Sequence, residues 1–145
     1  MKKIIYLFFA LLIFSCSKDD DKSNDSNSIE GRWKIISTMD CGRNQEISSC
    51  KLKSYMTFND GIGAWTEYNT FINGNDTAPP LPCQVVNVDT DITYSTGPNS
   101  QSYIIKFSNE EILPAIIDGN TLTIMDTYEC REGVTITDET KFIRN

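Results

Sequence analysis

Five cysteines, two adjacent carboxylate pairs and a set of aromatic residues are the groups in this sequence whose chemistry could matter. They are Cys16, Cys41, Cys50, Cys83 and Cys130; Glu110-Glu111 and Asp138-Glu139; and Trp65, Tyr68, Phe71, Tyr103 and Phe107. Histidine is absent. That removes Ser-His-Asp and Cys-His nucleophilic sites and every zinc site with a His ligand, and the cysteine spacings contain no CxxC. No metal or cofactor is expected. Paired carboxylates can cleave glycosidic bonds, but sequence neighbours on a strand face opposite ways, so neither pair converges on one substrate. Both read as solvated surface charge, and the chain does not read as an enzyme. The five aromatic residues have two uses on strands: filling a core, or lining a cup for an apolar molecule.

The N-terminus accounts for one cysteine. Lys2 and Lys3 precede eleven apolar residues, Ile4 to Phe14, too few for a bilayer core that needs about 20 but suited to a signal peptide. The run ends Leu12-Ile13-Phe14-Ser15-Cys16. With an aliphatic residue three before the cysteine and a small one just before it, this resembles the lipobox of bacterial lipoproteins. The resemblance implies removal of residues 1–15 and acylation of Cys16 by diacylglycerol and an amide-linked palmitate-type chain. Several acyl chains make such an anchor effectively permanent. Four cysteines then remain, an even number that in an exported chain reads as two disulfides.

Residues 17–28, SKDDDKSNDSNS, hold no apolar side chain and cannot offset the entropy of ordering; with Cys16 they form a tether. Lys18-Asp19-Asp20-Asp21 resembles the acidic surface-export signals of some Gram-negative lipoproteins, which implies an outer-membrane protein facing outward; a plain solvated linker, with the domain in the periplasm, is the alternative. Of 13 basic residues the mature chain loses Lys2 and Lys3, leaving 11 against 20 acidic, or about −9. Such a surface disfavours nucleic acid, whose phosphates demand lysine and arginine.

The elements that position the remaining residues lie in 29–145, one domain's length. Turn signals recur at short intervals: Asn59-Asp60-Gly61, Asn73-Gly74-Asn75-Asp76, Gly97-Pro98-Asn99, Ser108-Asn109-Glu110, Asp118-Gly119-Asn120 and Arg131-Glu132-Gly133. Between them apolar and polar residues alternate. Leu52, Ser54, Met56 and Phe58 form one face; so do Tyr103, Ile105 and Phe107; Leu122 and Ile124; and Val134 and Ile136. Period-two patterning predicts half-buried antiparallel strands, and Asp60-Gly61 a hairpin. Ser108 with Glu111 fits a capping box, leaving room for about one helical turn before Pro114. Residues 75–82, with three prolines, form a long loop.

Gly31-Arg32-Trp33 resembles the first-strand G-x-W signature of lipocalins. With Met56-Thr57-Phe58-Asn59-Asp60-Gly61 and Asp118-Gly119-Asn120-Thr121-Leu122, the chain is similar to the small lipocalin-like domains of Gram-negative lipoproteins. The resemblance covers most of 29–124 and implies an all-β, about eight-stranded, antiparallel up-and-down barrel. It gives Trp33 the floor of the barrel, beneath Arg144 or Lys141 as a cationic lid; these roles, with Gly31, are structural. In such a barrel strand parity places Cys41, Cys50, Cys83 and Cys130 at one rim, where disulfides can form. Closure brings Cys130 near Cys41, and Cys50 and Cys83 flank the second and third strands as in the domains it resembles. Cys50–Cys83 with Cys41–Cys130 is therefore preferred, and Cys41–Cys50 with Cys83–Cys130 stays open. Asp76-Thr77-Ala78 resembles an O-glycosylation acceptor of some Gram-negative bacteria, at Thr77. Two functions remain: a membrane-anchored binding protein for a small apolar or amphipathic ligand, with Trp65, Tyr68, Phe71, Tyr103 and Phe107 around it, or a filled barrel that meets a protein or glycan through loops such as 71–83.

Overall fold

Threonines and β-branched residues alternate with large apolar ones along most of the chain, a pattern suited to a pleated, one-side-buried surface. The computed structural model describes residues 27–69 and 82–145 and folds them accordingly. Its strands are β1 (Gly31–Asp40), β2 (Arg43–Asn44), β3 (Tyr55–Asn59), β4 (Ile62–Asn69), β5 (Gln84–Thr96), β6 (Ser102–Lys106), β7 (Ile112–Asp118), β8 (Thr121–Arg131) and β9 (Val134–Arg144). Each pairs antiparallel with the next along the order β2-β1-β3-β4-β5-β6-β7-β8-β9, and β1 also pairs with β9. That last ladder closes eight strands into an up-and-down barrel, with the two-residue β2 as an appendage. Closure leaves no free sheet edge along the paired lengths. Cys16, residues 1–15, nearly all of the tether, Phe71 and Thr77 lie outside the described residues.

Inward residues form one core: Trp33, Ile35, Met56, Phe58, Ile92, Ile105, Ala115, Ile117, Leu122 and Phe142 are almost wholly buried. At the end where β1 begins, the barrel is shut. Trp33 is 0% exposed and its indole N–H donates to the Ile29 carbonyl at 2.7 Å. The Arg144 guanidinium stacks 4.3 Å from the indole centroid, and its two terminal nitrogens donate to the carbonyls of Glu30 and Ser28 at 2.7 and 2.5 Å. Lys141 instead pairs with Glu139 at 2.9 Å. Gly31 sits at φ 116°, and a Cβ there would lie 3.6 Å from the Arg144 guanidinium; the backbone must pass under the lid in a conformation L-residues avoid.

Three sequence expectations are corrected. The helical turn is not after Ser108: Asn109 Oδ1 accepts the Glu111 N–H at 3.1 Å, Glu110 takes φ 68°, and β7 starts at Ile112 with Pro114 opposite Ile104. A left-handed residue cannot continue an α-helix. The 3-10 turn lies at Lys51–Lys53, so Leu52 is not on the inward face of a strand and is 36% exposed. Val134, read with Ile136 on a half-buried face, is 50% exposed because β9 begins beyond the rim.

Candidate functional site

All four described cysteines lie at the end opposite Trp33. Cys41 is bonded to Cys130 and Cys50 to Cys83. The first bridge ties the end of β1 to the end of β8; the second ties the 3-10 turn to the start of β5. Within this rim the barrel is hollow. A cavity of about 260 Å³ is walled by Ile35, Met56, Trp65, Phe107, Leu113, Ile124 and Phe142, with Thr38, Thr140, Lys51 and Glu67 towards solvent. Lys51 and Glu67 form an ion pair at 3.7 Å beside the entrance. Trp65 meets Phe142 edge to face, centroids 5.8 Å apart. The volume is near the lower bound of small-molecule sites, which run about 300–1,000 Å³.

A second space of about 360 Å³ adjoins it. Thr38 and Thr140 wall both, and the rest is Met39, Asp40, Asp126, Tyr128 and Asp138. Its position follows from strand length and one bulge. β8 and β9 stay paired from Thr121–Ile143 to Arg131–Val134, past the ends of β3 and β6, so their inward parity carries on from Leu122 and Ile124 to Asp126 and Tyr128, and from Phe142 to Thr140 and Asp138. β1 shifts register between Ile35 and Ser37. An unbroken period of two after Ile35 would leave Thr38 and Asp40 on the outer face; with the bulge both border this space beside Met39, Asp40 as an exposed residue at its outer edge. Thr38 and Thr140 are cross-strand partners whose hydroxyls bond at 3.0 Å.

The acidic end is tightly wired. Asp138, 5% exposed, accepts the Gly42 N–H at 2.8 Å. The Tyr128 hydroxyl lies 2.5 Å from Asp138 Oδ2 and 3.0 Å from Asp40 Oδ1, supplies its one proton to these carboxylates, and accepts the Cys41 N–H at 3.0 Å. Cys41 and Gly42 present those amides because both take positive φ, 52° and 73°, as a two-residue β1–β2 hairpin requires. Burial raises the Asp138 carboxyl, but the hydrogen bonds from Tyr128 and the Gly42 and Cys41 amides outweigh it and hold it below its ordinary value. Tyr128 is pushed up to about 12, chiefly because its proton is held by Asp138. Asp126, directly opposite Asp138 on β9, is raised by burial and then by the charges of Glu111 and Asp138.

Of the expected ligand-lining residues, Trp65 and Phe107 wall the cavity. Tyr68 does not; Trp65 and Glu67 hold the inward positions on β4, and the Tyr68 amide bonds Ser54 Oγ at 2.9 Å. Tyr103 belongs to the closed end, 8% exposed, with its hydroxyl on the Asn27 carbonyl at 2.7 Å. Asp138 is not solvated surface charge, although its neighbour Glu139 does face outward. The polar wall went unread in the sequence. For Asp126, Tyr128, Asp138 and Thr140 the signal is there, since they continue the inward parity of Ile124 and Phe142; for Asp40 there is none, because nothing in the residues announces the bulge. Comparison with protein-family models, with curated proteins and with solved structures finds no match for this chain.

Proposed function

We propose that this chain is a bacterial lipoprotein, anchored through acylated Cys16 to the outer membrane, whose barrel holds a small apolar or amphipathic ligand at the disulfide rim. The observation that carries the binding half is the apolar cavity of about 260 Å³: the closed end of the barrel is filled, whereas this end holds space among aromatic and aliphatic walls. Empty apolar space forfeits dispersion contacts, so an apolar guest of matching size gains them together with its own removal from water. The anchoring half rests on the signal-like N-terminus, the lipobox resemblance and the even number of cysteines left after Cys16.

Native mass spectrometry of protein extracted from its host tests the binding half. A discrete mass that leaves on denaturation supports it; a chain that arrives empty and does not change tryptophan emission with any apolar probe overturns it. Labelled palmitate tests the anchor: Cys16→Ala abolishes incorporation, and label surviving that change overturns the assignment. The glycan proposed at Thr77 predicts a mass lost in Thr77→Ala.

The interaction-module reading is favoured by one feature. Val85, Val86 and Val88 are 47%, 39% and 55% exposed on the part of β5 that precedes its ladder with β6, which begins at Thr93. A partner protein captured by the full chain and lost on Val86→Lys and Val88→Lys, with ligand binding intact, would favour that reading.

A further inference from the structure

Building on that cavity, we infer that the mouth selects a cationic amphiphile: a compact apolar body seated against Trp65 and Phe107, with an amine or ammonium group facing Asp126, Asp138 and Asp40. The geometry supplies both halves. The apolar and acidic spaces share Thr38 and Thr140 as walls, so a molecule filling the first projects its free end into the second. That end meets three carboxylates and a tyrosine whose own proton is already committed to two of them, Asp138 and Asp40. Among the described residues the ion pairs are Lys51–Glu67, Lys106–Glu110 and Lys141–Glu139; none engages these three carboxylates.

The remaining cation chemistry is a divalent metal, and the arrangement does not suit one. Among the described residues no three His, Cys, Asp or Glu side chains converge as metal ligands. Asp138 spends one oxygen on the Gly42 amide and the other on Tyr128. Carboxylates that frame a space of about 360 Å³, two of them turned onto the Tyr128 hydroxyl and not onto an open point, suit a bulkier, softer cation carried on an organic skeleton. An anionic head, as on a fatty acid, would instead face like charges at short range and be repelled by them.

The test compares three ligands with one tail: octylammonium, octanol and octyl sulfate. Each is titrated calorimetrically into the full disulfide-bonded chain in zwitterionic bilayer nanodiscs, with empty nanodiscs as blank. The expected order is ammonium, then alkanol, then sulfate, with the first step about tenfold or more in Kd. Asp126→Asn, which keeps the side chain's shape, should cut the ammonium-to-alkanol ratio several-fold and leave alkanol affinity unchanged. Raising salt on the unaltered chain should shrink the same ratio, a readout independent of whether the variant folds. Equal binding of ammonium and alkanol, or a ratio indifferent to both Asp126→Asn and salt, overturns the inference and leaves the apolar-ligand reading standing. No binding of any of the three overturns both.

Discussion

Asp126 and Asp138 face each other across β8 and β9, and like charges directly opposite on a sheet destabilise it. The two residues divide the strain unequally. Asp138 is held charged by hydrogen bonds, below its ordinary 3.8; Asp126 carries the repulsion, raised by burial, Glu111 and Asp138. Opposite signs for stability follow. Asp138 contributes stability above 3.8 that is lost only as pH falls through its depressed folded value. Asp126 subtracts stability at neutral pH, and the penalty fades as pH falls through its elevated folded value toward 3.8. Asp126→Asn should therefore stabilise the empty barrel by about 0.2–1 kcal/mol at pH 7, and urea titrations repeated below 3.8 should show the gain gone. A variant less stable at pH 7 and unchanged by acid would mean that Asp126 is satisfied where it stands. Stability given up at Asp126, and carboxylates beside an apolar space that share in none of the ion pairs among the described residues, are what a binding site leaves behind when its occupant supplies the missing charge. At the closed end the residue logic is the reverse: the Arg144 cation lies over the Trp33 ring and donates to two backbone carbonyls, with no carboxylate left facing another. Arg144→Lys should cost about 1.5–3 kcal/mol in urea unfolding, since a lysine cannot donate in a plane to the Ser28 and Glu30 carbonyls while stacking on Trp33.

Strand alternation was enough to find β6, β8 and the β3–β4 hairpin, because each runs uninterrupted with one face buried. It failed where local hydrogen bonding competes with the ladder. Leu52 and Ser54 keep a two-residue period with Met56, yet the Lys53 and Ser54 amides return to Cys50 and Lys51 at 2.9 Å and wind that stretch into a 3-10 turn. Ser108 carries the letters of a capping box, yet Asn109 closes the turn first. The bulge in β1 was equally illegible: it is a register shift against β9, a strand about a hundred residues away in the sequence, and local residue types carry no mark of it. Packing between elements supplies the sharpest prediction at this scale. A Cβ on Gly63 of β4 would lie 2.8 Å from two ring atoms of Phe58 and 3.1 Å from Ile92. Phe58 is 2% exposed and Ile92 0%, so neither has room to retreat. Gly63→Ala should cost about 1–3 kcal/mol by overpacking, and Phe58→Leu should recover part of that cost. A double-mutant cycle in urea reads the coupling; additive losses would show that the β3–β4 hairpin yields without moving the ring.

The whole barrel is held by one long-range seam, β1 on β9, and by two covalent ties at the open rim. The ties differ in reach: Cys41–Cys130 spans 89 residues and Cys50–Cys83 spans 33. If their effect is mainly to restrict the unfolded chain, loop closure assigns them about 4.6 and about 3.7 kcal/mol. They also brace different walls. Cys41 lies in the hairpin that gives its amide to Tyr128 and its neighbour's to Asp138, so Cys41→Ser with Cys130→Ser should loosen the acidic wall. Cys50 leads into Lys51, which pairs with Glu67 at the apolar entrance, so Cys50→Ser with Cys83→Ser should act on tail binding. The two double variants should thus separate in two measurements. In urea the first loses roughly 1 kcal/mol more than the second; in titrations the first lowers the octylammonium-to-octanol ratio, whereas the second weakens all three octyl ligands alike. Stability falling in that order while both variants bind identically would confine the disulfides to holding the cylinder shut. A ratio lost only with Cys41–Cys130 would show that the bridge also holds the carboxylates in place, because it anchors the hairpin whose amides hold Tyr128 and Asp138.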